Sequence, residues 1–375
     1  MSEFASVWQQ WADRRPNGRV LHLDSAAAGR MSIAVRRAVA DHLDREAQSG
    51  AYVAEGEAAG ALAEGRADLA GLLGLPADGL AFVESASAGL TTLLRTWPLP
   101  DGASVGIVAS EWGPNLQLMR WHGLQPVELA IEPDGRVDLD ALARTLDTSP
   151  PAVVHLTQVA SHRGLVQPVA EALELCRAAG VPLWVDAAQA LGHVDTATGA
   201  DAVYATSRKW LAGPRGVGIL GVAEPWWGRL RVEQPLLPVG ERPVVHWLDS
   251  HEANVAGRVG LCAAVREYLA LGPATVTARL ADVGRMTRDA LAGLRSWKVV
   301  DGDTAGGAIT ALTPTAGADV AATRARLLDR HAILTTASQV VRAPLELREP
   351  LLRISPQVDC TDDALARLCT ALDED

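Results

Sequence analysis

The stretch YATSRKWLAGPRGVGIL, residues 204–220, joins two apolar runs through a lysine, a tryptophan and a glycine-rich turn. Only residues 206–216 separate the two runs, so we expect them to pair as an antiparallel hairpin. Lys209 then follows a strand end, and three interpretations are open: a surface hairpin, a phosphate-binding loop, or the anchor of a covalent cofactor. The glycines do not form a dinucleotide fingerprint, because their spacing is wrong and a strand rather than a helix follows them.

The chain before and around this hairpin alternates between short apolar runs and helix-like stretches. Runs that are apolar on both faces are typical of strands in a sheet that is covered by helices. The predicted strands are 80–83, 104–108, 126–129, 152–156, 182–186, 202–205 and 217–222. The predicted helices between them are 87–96, 114–122, 138–146 and 168–179. This alternation predicts an α/β fold with a mostly parallel, seven-stranded sheet.

A second, smaller α+β domain is predicted after the sheet. Amphipathic helices are expected at 33–48, 57–74, 257–271 and 274–294, and the C-terminal pattern is strand 308–313, helix 318–330, strand 351–355 and helix 361–373. The proline-rich stretch EQPLLPVGERPVVHW, residues 233–247, is the expected boundary. We therefore expect a large domain over 20–245 and a small domain over 1–19 and 246–375.

Composition narrows the class of protein. The 375 residues are 48% hydrophobic, which suffices for a substantial core, and the net charge of -11 argues against nucleic acid or an anionic membrane as the main partner. The four cysteines show no CxxC pair, no apolar run reaches the ~18 to 20 residues of a membrane span, and the first residues lack a signal-peptide pattern. We expect a cytoplasmic protein with no membrane partner and no bound metal.

Parallel sheets bind ligands at the carboxyl ends of their strands, so the residues that follow the strands are the candidate site. Ser87 lies in a helix start after strand 80–83, where backbone N–H groups bind phosphate, although a simple N-cap serine is also common. Trp112 follows strand 104–108 and is either a core aromatic or a plate for a planar ligand.

Two further strand ends carry charge. Asp186 closes an apolar strand and either caps the following turn or faces a protonated ring nitrogen, and Gln189 lies three residues on. Lys209 beside Trp210 is either an exposed hairpin lysine or a partly desolvated amine, whose lowered pKa favours covalent chemistry with an aldehyde. A stacking plate, an acid for a ring nitrogen, a phosphate site and a lysine together indicate pyridoxal 5'-phosphate.

At these residues the sequence resembles the class V aminotransferase family, whose members are fold type I, pyridoxal-phosphate-dependent transferases. The resemblance spans nearly the whole chain and is carried by LHLDSAAAGRMS (21–32), FVESASAGL (82–90), SEWGPN (110–115), WVDAAQALGH (184–193), TSRKWLAGPRGVGIL (206–220) and LLRIS (351–355). It implies a homodimer, because active sites of this family lie at subunit interfaces.

The resemblance also assigns roles. It makes Lys209 the lysine that forms the Schiff base with the cofactor and places Asp186 on the pyridine nitrogen and Gln189 near the phenolic oxygen. Trp112 replaces the usual stacking histidine, and Gln158 takes the position of another family histidine near the cofactor. The phosphate contacts are implied for Ala86, Ser87, Thr206 and Arg208.

Substrate contacts are implied at two further positions. Arg353 in the LLRIS segment would bind the substrate carboxylate as a bidentate fork. Tyr52, in SGAYVAEGE, resembles a family segment near the active site and is a candidate cation-π partner, although it could be an ordinary tyrosine beside a helix.

One departure from the family pattern bears on the activity. Cysteine desulfurases carry a nucleophilic cysteine before the R.S segment, whereas residues 337–355, ASQVVRAPLELREPLLRIS, contain none. The resemblance therefore implies a carbon–sulfur lyase that eliminates sulfur from a cysteine-derived sulfoxide, a small amino-acid substrate. The alternatives are a desulfurase, an aminotransferase or an epimerase of the same fold, or a relative that binds a ligand without catalysis.

Overall fold

The computed structural model describes residues 3–232, 242–250, 252–301, 306–315 and 317–374, with only the backbone described for residues 3–6. Most of the expected domain boundary, residues 233–247, lies outside these ranges, and the division into two domains stays a prediction. Within the described ranges, no helix combines the length and the apolar character needed to cross a bilayer.

Strands are numbered here in chain order. They are β1 (Leu21–His22), β2 (Leu80–Val83), β3 (Ser104–Ile107), β4 (Gln125–Glu128), β5 (Val153–Thr157), β6 (Leu183–Asp186), β7 (Ala202–Thr206), β8 (Gly218–Val222), β9 (Trp297–Val299), β10 (Thr310–Pro314), β11 (Ile333–Leu334), β12 (Thr336–Ser338) and β13 (Leu351–Ile354).

Helices are numbered in the same way. They are α1 (Glu3–Asp13), α2 (Ile33–Ser49), α3 (Ala51–Leu73), α4 (Ala86–Thr96), α5 (Gly113–Trp121), α6 (Leu139–Thr148), α7 (Val169–Ala179), α8 (Val255–Leu271), α9 (Pro273–Leu291), α10 (Val320–His331) and α11 (Asp362–Asp373).

The large sheet has seven strands in the order β2-β8-β7-β6-β5-β3-β4. Strand β8 pairs antiparallel with both β2 and β7, and the remaining pairs are parallel, which confirms the mostly parallel sheet and the terminal hairpin. Every residue of β2, β5, β6, β7 and β8 is buried, as a sheet covered on both faces requires.

Alternate residues of the central strands enter two different core layers. Trp184 and Tyr204 pack with α4 and α5 on one face, whereas Val185 and Val203 pack with α3, α6, α7 and α8 on the other. This period of two is the geometry of a strand, and it assigns each side chain to one layer.

The C-terminal part forms a four-stranded antiparallel sheet in the order β12-β13-β10-β9, packed with α9, α10 and α11 around a separate core cluster. The predicted strand, helix, strand, helix pattern corresponds to β10, α10, β13 and α11. Strand β1 pairs in parallel with β11, and an isolated bridge joins Asp24 to Ser355, so the N-terminal segment is held against the C-terminal part.

Several boundaries differ from the sequence predictions. The helix expected at 57–74 begins at Ala51, directly after Gly50, whose positive φ of 88° separates it from α2. The sequence does not predict strands β1, β9, β11 and β12, because strands of two or three residues are too short to show a period. Helix α1 is a further element that the sequence patterns do not predict.

Candidate active site

A cavity of about 160 Å³ opens at the carboxyl ends of the parallel strands. Eight of the predicted site residues line it: Ala86, Ser87, Trp112, Asp186, Gln189, Thr206, Arg208 and Lys209. Seven further residues line it as well: Ala26, Ala27, Ser85, Thr157, Ser161, Ala188 and Arg342. Residues from seven separate segments of the chain thus meet at the edge of the sheet where an open α/β fold binds its ligand.

Lys209 lies on the tight turn between β7 and β8. The turn is fixed by its backbone, because Ser207 N–H donates to the Val217 carbonyl oxygen over 3.1 Å and Ala212 N–H donates to the Lys209 carbonyl oxygen over 3.0 Å. Gly29 of the N-terminal segment packs against the turn. A Cβ on Gly29 would lie 2.4 Å from the Lys209 carbonyl oxygen. Only glycine permits this close approach, which holds the lysine at the cavity.

Lys209 is half-buried, and its amine lies among charged groups of both signs. Burial lowers its pKa to about 7, and the charges of Arg208 and Arg353 act in the same direction, whereas Asp186 opposes them. A lysine with this pKa is largely neutral just above pH 7, and the neutral amine is the form that attacks an aldehyde or accepts a proton.

Asp186 ends β6 and is 4% exposed. One carboxylate oxygen accepts the Ala188 N–H over 2.8 Å, and the other accepts the Asn115 amide over 2.9 Å. Burial raises the pKa of Asp186, and the charge of Lys209 opposes this rise. A buried carboxylate of this kind pairs well with the N–H of a pyridinium ring.

The start of α4 and the end of β7 form a candidate anion site. Ser85 caps α4 by accepting the Ala88 N–H over 3.1 Å, and Ala86 and Ser87 form the first turn, where free backbone N–H groups and the helix dipole attract phosphate. Thr206 and Arg208 adjoin the same cavity and add a hydroxyl and a guanidinium. In this structure the Arg208 side chain donates to the Ala27 carbonyl oxygen.

Trp112 and Gln189 occupy the remaining walls. Trp112 is half-buried at the start of α5 and lines the cavity. The Gln189 amide is held on both sides, because it donates to the Ala26 carbonyl oxygen over 2.9 Å and accepts the Trp210 indole N–H over 3.0 Å. Trp210 itself points into the core, where it stacks on His193.

Three predicted site residues do not line the cavity. The Gln158 side chain donates to the Asp195 carbonyl oxygen over 2.7 Å, so its amide points away from the cavity. Arg353 is fully buried behind the wall, where it donates to the Ser161 carbonyl oxygen over 2.6 Å and to Asp24 over 3.1 Å. Tyr52 is 86% exposed near the start of α3.

Arg342 is a lining residue that the sequence reasoning missed. Its side chain forms no hydrogen bond or ion pair with any described residue, and burial lowers its pKa to about 10, helped by the charge of Arg353. The available signal was a single arginine in the otherwise apolar run VVRAPL (340–345), which lies between the predicted helix 318–330 and the predicted strand 351–355. It lies in the segment where desulfurases of the resembled family carry their cysteine.

None of the four cysteines lines the cavity. Cys176, Cys262 and Cys360 are buried, and burial raises the pKa of their thiols to about 12, 11 and 12. Burial also raises the pKa of Cys369 in α11. Thiols with raised pKa values are poor nucleophiles at neutral pH, so the site has no reactive cysteine.

The donor set of the cavity fits pyridoxal phosphate. It provides an aromatic plate, a buried carboxylate, a helix start with an arginine for the phosphate, and a lysine whose amine is neutral near pH 7. The buried hydroxyl of Ser161 has no partner among the described residues, which leaves a donor and acceptor for a bound ligand.

Comparisons with known proteins agree with this chemistry. A family model described as aminotransferase class-V matches residues 21–355. The chain is 47% identical over 369 residues to a probable hercynylcysteine sulfoxide lyase from Mycobacterium tuberculosis (strain CDC 1551 / Oshkosh), covering 98% of this chain and 93% of that relative.

Two solved structures share the fold at low sequence identity. The cysteine desulfurase CsdA from Escherichia coli has a TM-score of 0.83 at 20% identity, with 98% of this chain and 97% of that chain covered. A C-DES variant with glycine covalently linked to its PLP cofactor has a TM-score of 0.83 at 15% identity, with 95% and 97% covered. The fold type predicted from the sequence is confirmed. The chain belongs to the class-V aminotransferase family, and it is a pyridoxal-phosphate-dependent carbon–sulfur lyase.

Proposed function

We propose that this protein cleaves the carbon–sulfur bond of hercynylcysteine sulfoxide, releasing the sulfur product that leads to ergothioneine together with pyruvate and ammonia. The observation that carries the proposal is the composition of the cavity wall: Arg342 lies there, and no thiol does. A desulfurase needs a cysteine to take sulfur from the substrate, whereas an elimination needs only a base and an electron acceptor. The 47% identity to a protein described as a probable hercynylcysteine sulfoxide lyase supports the choice of substrate.

The catalytic roles follow from the side chains around the cavity. Bound pyridoxal phosphate supplies an aldehyde that captures the substrate amine and a ring that accepts electrons from the substrate α-carbon. We assign to Lys209 the transfer of the α-proton, because its pKa of about 7 lets it accept and return a proton near neutrality. Asp186 holds a proton on the ring nitrogen, and Trp112 and Gln189 orient the ring.

The remaining cofactor contacts belong to the anion site. Ala86 and Ser87 offer backbone N–H groups, and Thr206 and Arg208 offer a hydroxyl and a guanidinium, so the four together would hold the phosphate. Gln158 stays a proposed contributor, which would act through its neighbour Asp186, because its backbone N–H donates to the Asp186 carbonyl oxygen over 3.0 Å.

The substrate proposed here has two carboxylates, one on the cysteine part and one on the hercynyl part. We propose that Arg342, at the cavity wall, serves the second, and that Arg353, which is buried behind Ser161, serves the first after its bond to the Ser161 carbonyl oxygen is broken. Arg342→Gln should raise the KM for hercynylcysteine sulfoxide by about 10- to 100-fold, since hydrogen bonds between charged groups contribute about 1.5–3 kcal/mol. The KM for S-methylcysteine sulfoxide, which lacks the second carboxylate, should rise much less. Equal increases for both substrates would contradict this role of Arg342.

The trimethylammonium group of the hercynyl part calls for an aromatic partner. Tyr52 can serve as that partner only if a second copy of the chain brings it to the cavity, because it is 86% exposed on its own. Exposed apolar side chains on α2 and α3, namely Ile33, Leu43 and Val53, support a dimer contact on this surface. We therefore propose a homodimer, which light scattering would test. A monomeric protein with full activity would contradict both the dimer and the role of Tyr52.

The decisive assay measures pyruvate release by the holoenzyme from hercynylcysteine sulfoxide, cysteine and S-alkyl cysteine sulfoxides. Recognition of a second carboxylate and a cation should give hercynylcysteine sulfoxide a kcat/KM at least about tenfold above the others, which corresponds to about 1.4 kcal/mol. Similar values for all substrates would overturn the substrate assignment and leave a general lyase.

Two controls separate the alternatives. A variant with all four cysteines replaced by alanine should still release pyruvate, whereas a desulfurase would lose sulfur release. Aminotransferase activity would convert the cofactor to its amine form after one turnover without an acceptor, and epimerase activity would invert the α-carbon without releasing pyruvate. We further propose a cytoplasmic location and the division into domains at 20–245 and at 1–19 with 246–375.

A further inference from the structure

Beneath Asp186, three polar side chains are buried in the apolar layer under α4 and α5. Glu111 follows β3, His155 lies in β5 and Tyr204 lies in β7, and all three are fully buried at 0% exposure. The reaction as described above uses none of them. Buried charges are costly unless they are paired, so their arrangement requires an explanation.

The three residues form a hydrogen-bonded chain. His155 Nδ1 lies 2.8 Å from Glu111 Oε2, and His155 Nε2 lies 2.8 Å from the Tyr204 hydroxyl oxygen. Tyr204 is the register partner of Asp186 across the paired strands β6 and β7. The Asn115 amide group donates to Glu111 Oε1 and to Asp186 Oδ2, each over 2.9 Å. The Asn115 amide thus links the two carboxylates directly, and His155 hydrogen-bonds both Glu111 and the strand neighbour of Asp186.

The hydrogen-bond inventory determines where the protons lie. Glu111 Oε1 also accepts from the Trp112 N–H and the Thr157 hydroxyl, each over 2.9 Å, so this carboxylate is surrounded by donors and is ionised. No lysine or arginine pairs with Glu111 among the described contacts, and the cation that balances it is His155. A doubly protonated His155 donates from Nε2 to the Tyr204 oxygen. The Tyr204 proton is then available for donation to Asp186.

The directions of the pKa shifts of His155 and Glu111 agree with this assignment. Burial lowers the pKa of His155, but the charge of Glu111 and its hydrogen bond outweigh burial and raise the pKa above its ordinary value. Burial likewise raises the pKa of Glu111, and His155 outweighs this effect and lowers it. The groups that face Asp186 are Glu111, which favours its protonation, and Lys209, which favours its ionisation.

We propose that Glu111 and His155 form a buried ion pair that directs Tyr204 and Asn115 to donate to Asp186, which keeps Asp186 ionised and the ring nitrogen of pyridoxal phosphate protonated. Without the charge of His155, Glu111 would repel the ionised form of Asp186 across the Asn115 amide. Glu111 and His155 touch neither substrate nor cofactor, and both are positioning residues. The proposal depends on the cofactor and not on the identity of the substrate.

The experiment uses three holoenzyme variants reconstituted with pyridoxal phosphate labelled with ¹⁵N in the ring. In His155→Gln, the charge of Glu111 has no counterion, and the ¹⁵N resonance should move toward that of an unprotonated pyridine. In Glu111→Gln the shift should be small, because His155 loses the carboxylate that raises its pKa and becomes neutral, so no buried charge is left unpaired. The remaining proton of His155 can stay on Nε2, where it still donates to Tyr204. In the Glu111→Gln/His155→Gln double variant, the resonance should return toward the wild-type position, with cofactor affinity at least tenfold higher than in His155→Gln.

If the pair had only a structural role, the double variant should bind the cofactor more weakly than His155→Gln, since two core substitutions would then be worse than one. A wild-type resonance in His155→Gln across the pH range, or a double variant no better than the single one, would overturn the proposal. If His155→Gln does not bind the cofactor, Tyr204→Phe provides the test, because it removes one proposed donor to Asp186 and leaves the ion pair of Glu111 and His155 intact. Its resonance should shift in the same direction as predicted for His155→Gln, and an unchanged resonance would refute the relay.

Discussion

Titrating the amine of Lys209 in cofactor-free protein tests the electrostatics of the active site directly. Burial lowers its pKa to about 7, against the attraction of Asp186. The ammonium form is thus disfavoured inside the cavity, and the amine becomes neutral as the pH rises through about 7. An ordinary lysine becomes neutral only near pH 10.4.

The difference is large at the pH of a cell. At pH 7.5 a pKa of about 7 leaves about three quarters of the amines neutral, whereas a pKa of about 10.4 leaves about one in a thousand. The neutral amine is the reactive form, so Lys209 should react with small electrophiles several hundredfold faster than an unburied lysine of equal access.

The chain contains two lysines, Lys209 and Lys298, which makes the measurement simple. Lys298 is exposed on β9 and serves as the internal reference. Trace carbamylation by cyanate across a pH series, followed by mass spectrometry of the two peptides, gives each reactivity profile. Half-maximal reactivity of Lys209 should occur near pH 7, and Asp186→Asn should move the midpoint lower, because the carboxylate no longer stabilises the ammonium. A midpoint above about pH 9, or an upward shift in Asp186→Asn, would refute the reasoning.

Three substitutions test how the cavity walls are held. Gly29→Ala places a Cβ 2.4 Å from the Lys209 carbonyl oxygen, and this overpacking should lower the free energy of unfolding by about 1–3 kcal/mol and weaken cofactor binding. Gly56→Ala is the matched control, because a Cβ on Gly56 has no atom within 4 Å. The control should be neutral or stabilising in denaturant titrations. Ser85→Ala removes the α4 cap and should cost about 1 kcal/mol in thermal unfolding, together with a higher Kd for pyridoxal phosphate; an unchanged Kd would show that the cap does not shape the phosphate site. Arg353→Met leaves Asp24 buried without its partner and should cost about 3–5 kcal/mol, most of which Asp24→Asn should recover if the ion pair is the cause.

The large sheet and its ligand edge could be predicted from the sequence because the strands carry strong local signals. Runs such as LAFV and PLWV are apolar at every position, as in strands of a sheet that is covered on both faces. Once the strand ends are known, the topology brings Asp186, Trp112 and Lys209 to one edge, and their chemistry indicates the cofactor. Ser87, Trp112, Asp186, Gln189 and Lys209 could be identified in this way, whereas Ala86, Thr206 and Arg208 were assigned through the family resemblance.

The contacts missed by the prediction depend on packing between distant segments. Arg342 lies on a short 3-10 turn with no period, and nothing local shows that its side chain enters the cavity. Arg353 could be assigned to the site, but its burial behind Ser161 and its bond to Asp24 follow from pairing between the chain's two ends. The buried pair of Glu111 and His155 was likewise invisible, because a glutamate in a loop and a histidine in a strand carry no sign of their partner.

The pairing of the N-terminal segment with the end of the chain has a consequence for biosynthesis. Ala26 and Ala27 line the cavity, and the Ala26 N–H is held by the Ser355 hydroxyl, 329 residues later. During translation this wall cannot close until Ser355 has left the ribosome, since domains fold as their segments emerge. The nascent chain therefore carries an open half-site while the 329 residues that follow Ala26, up to Ser355, are synthesised. Capture of pyridoxal phosphate by the complete site must wait until Ser355 has emerged.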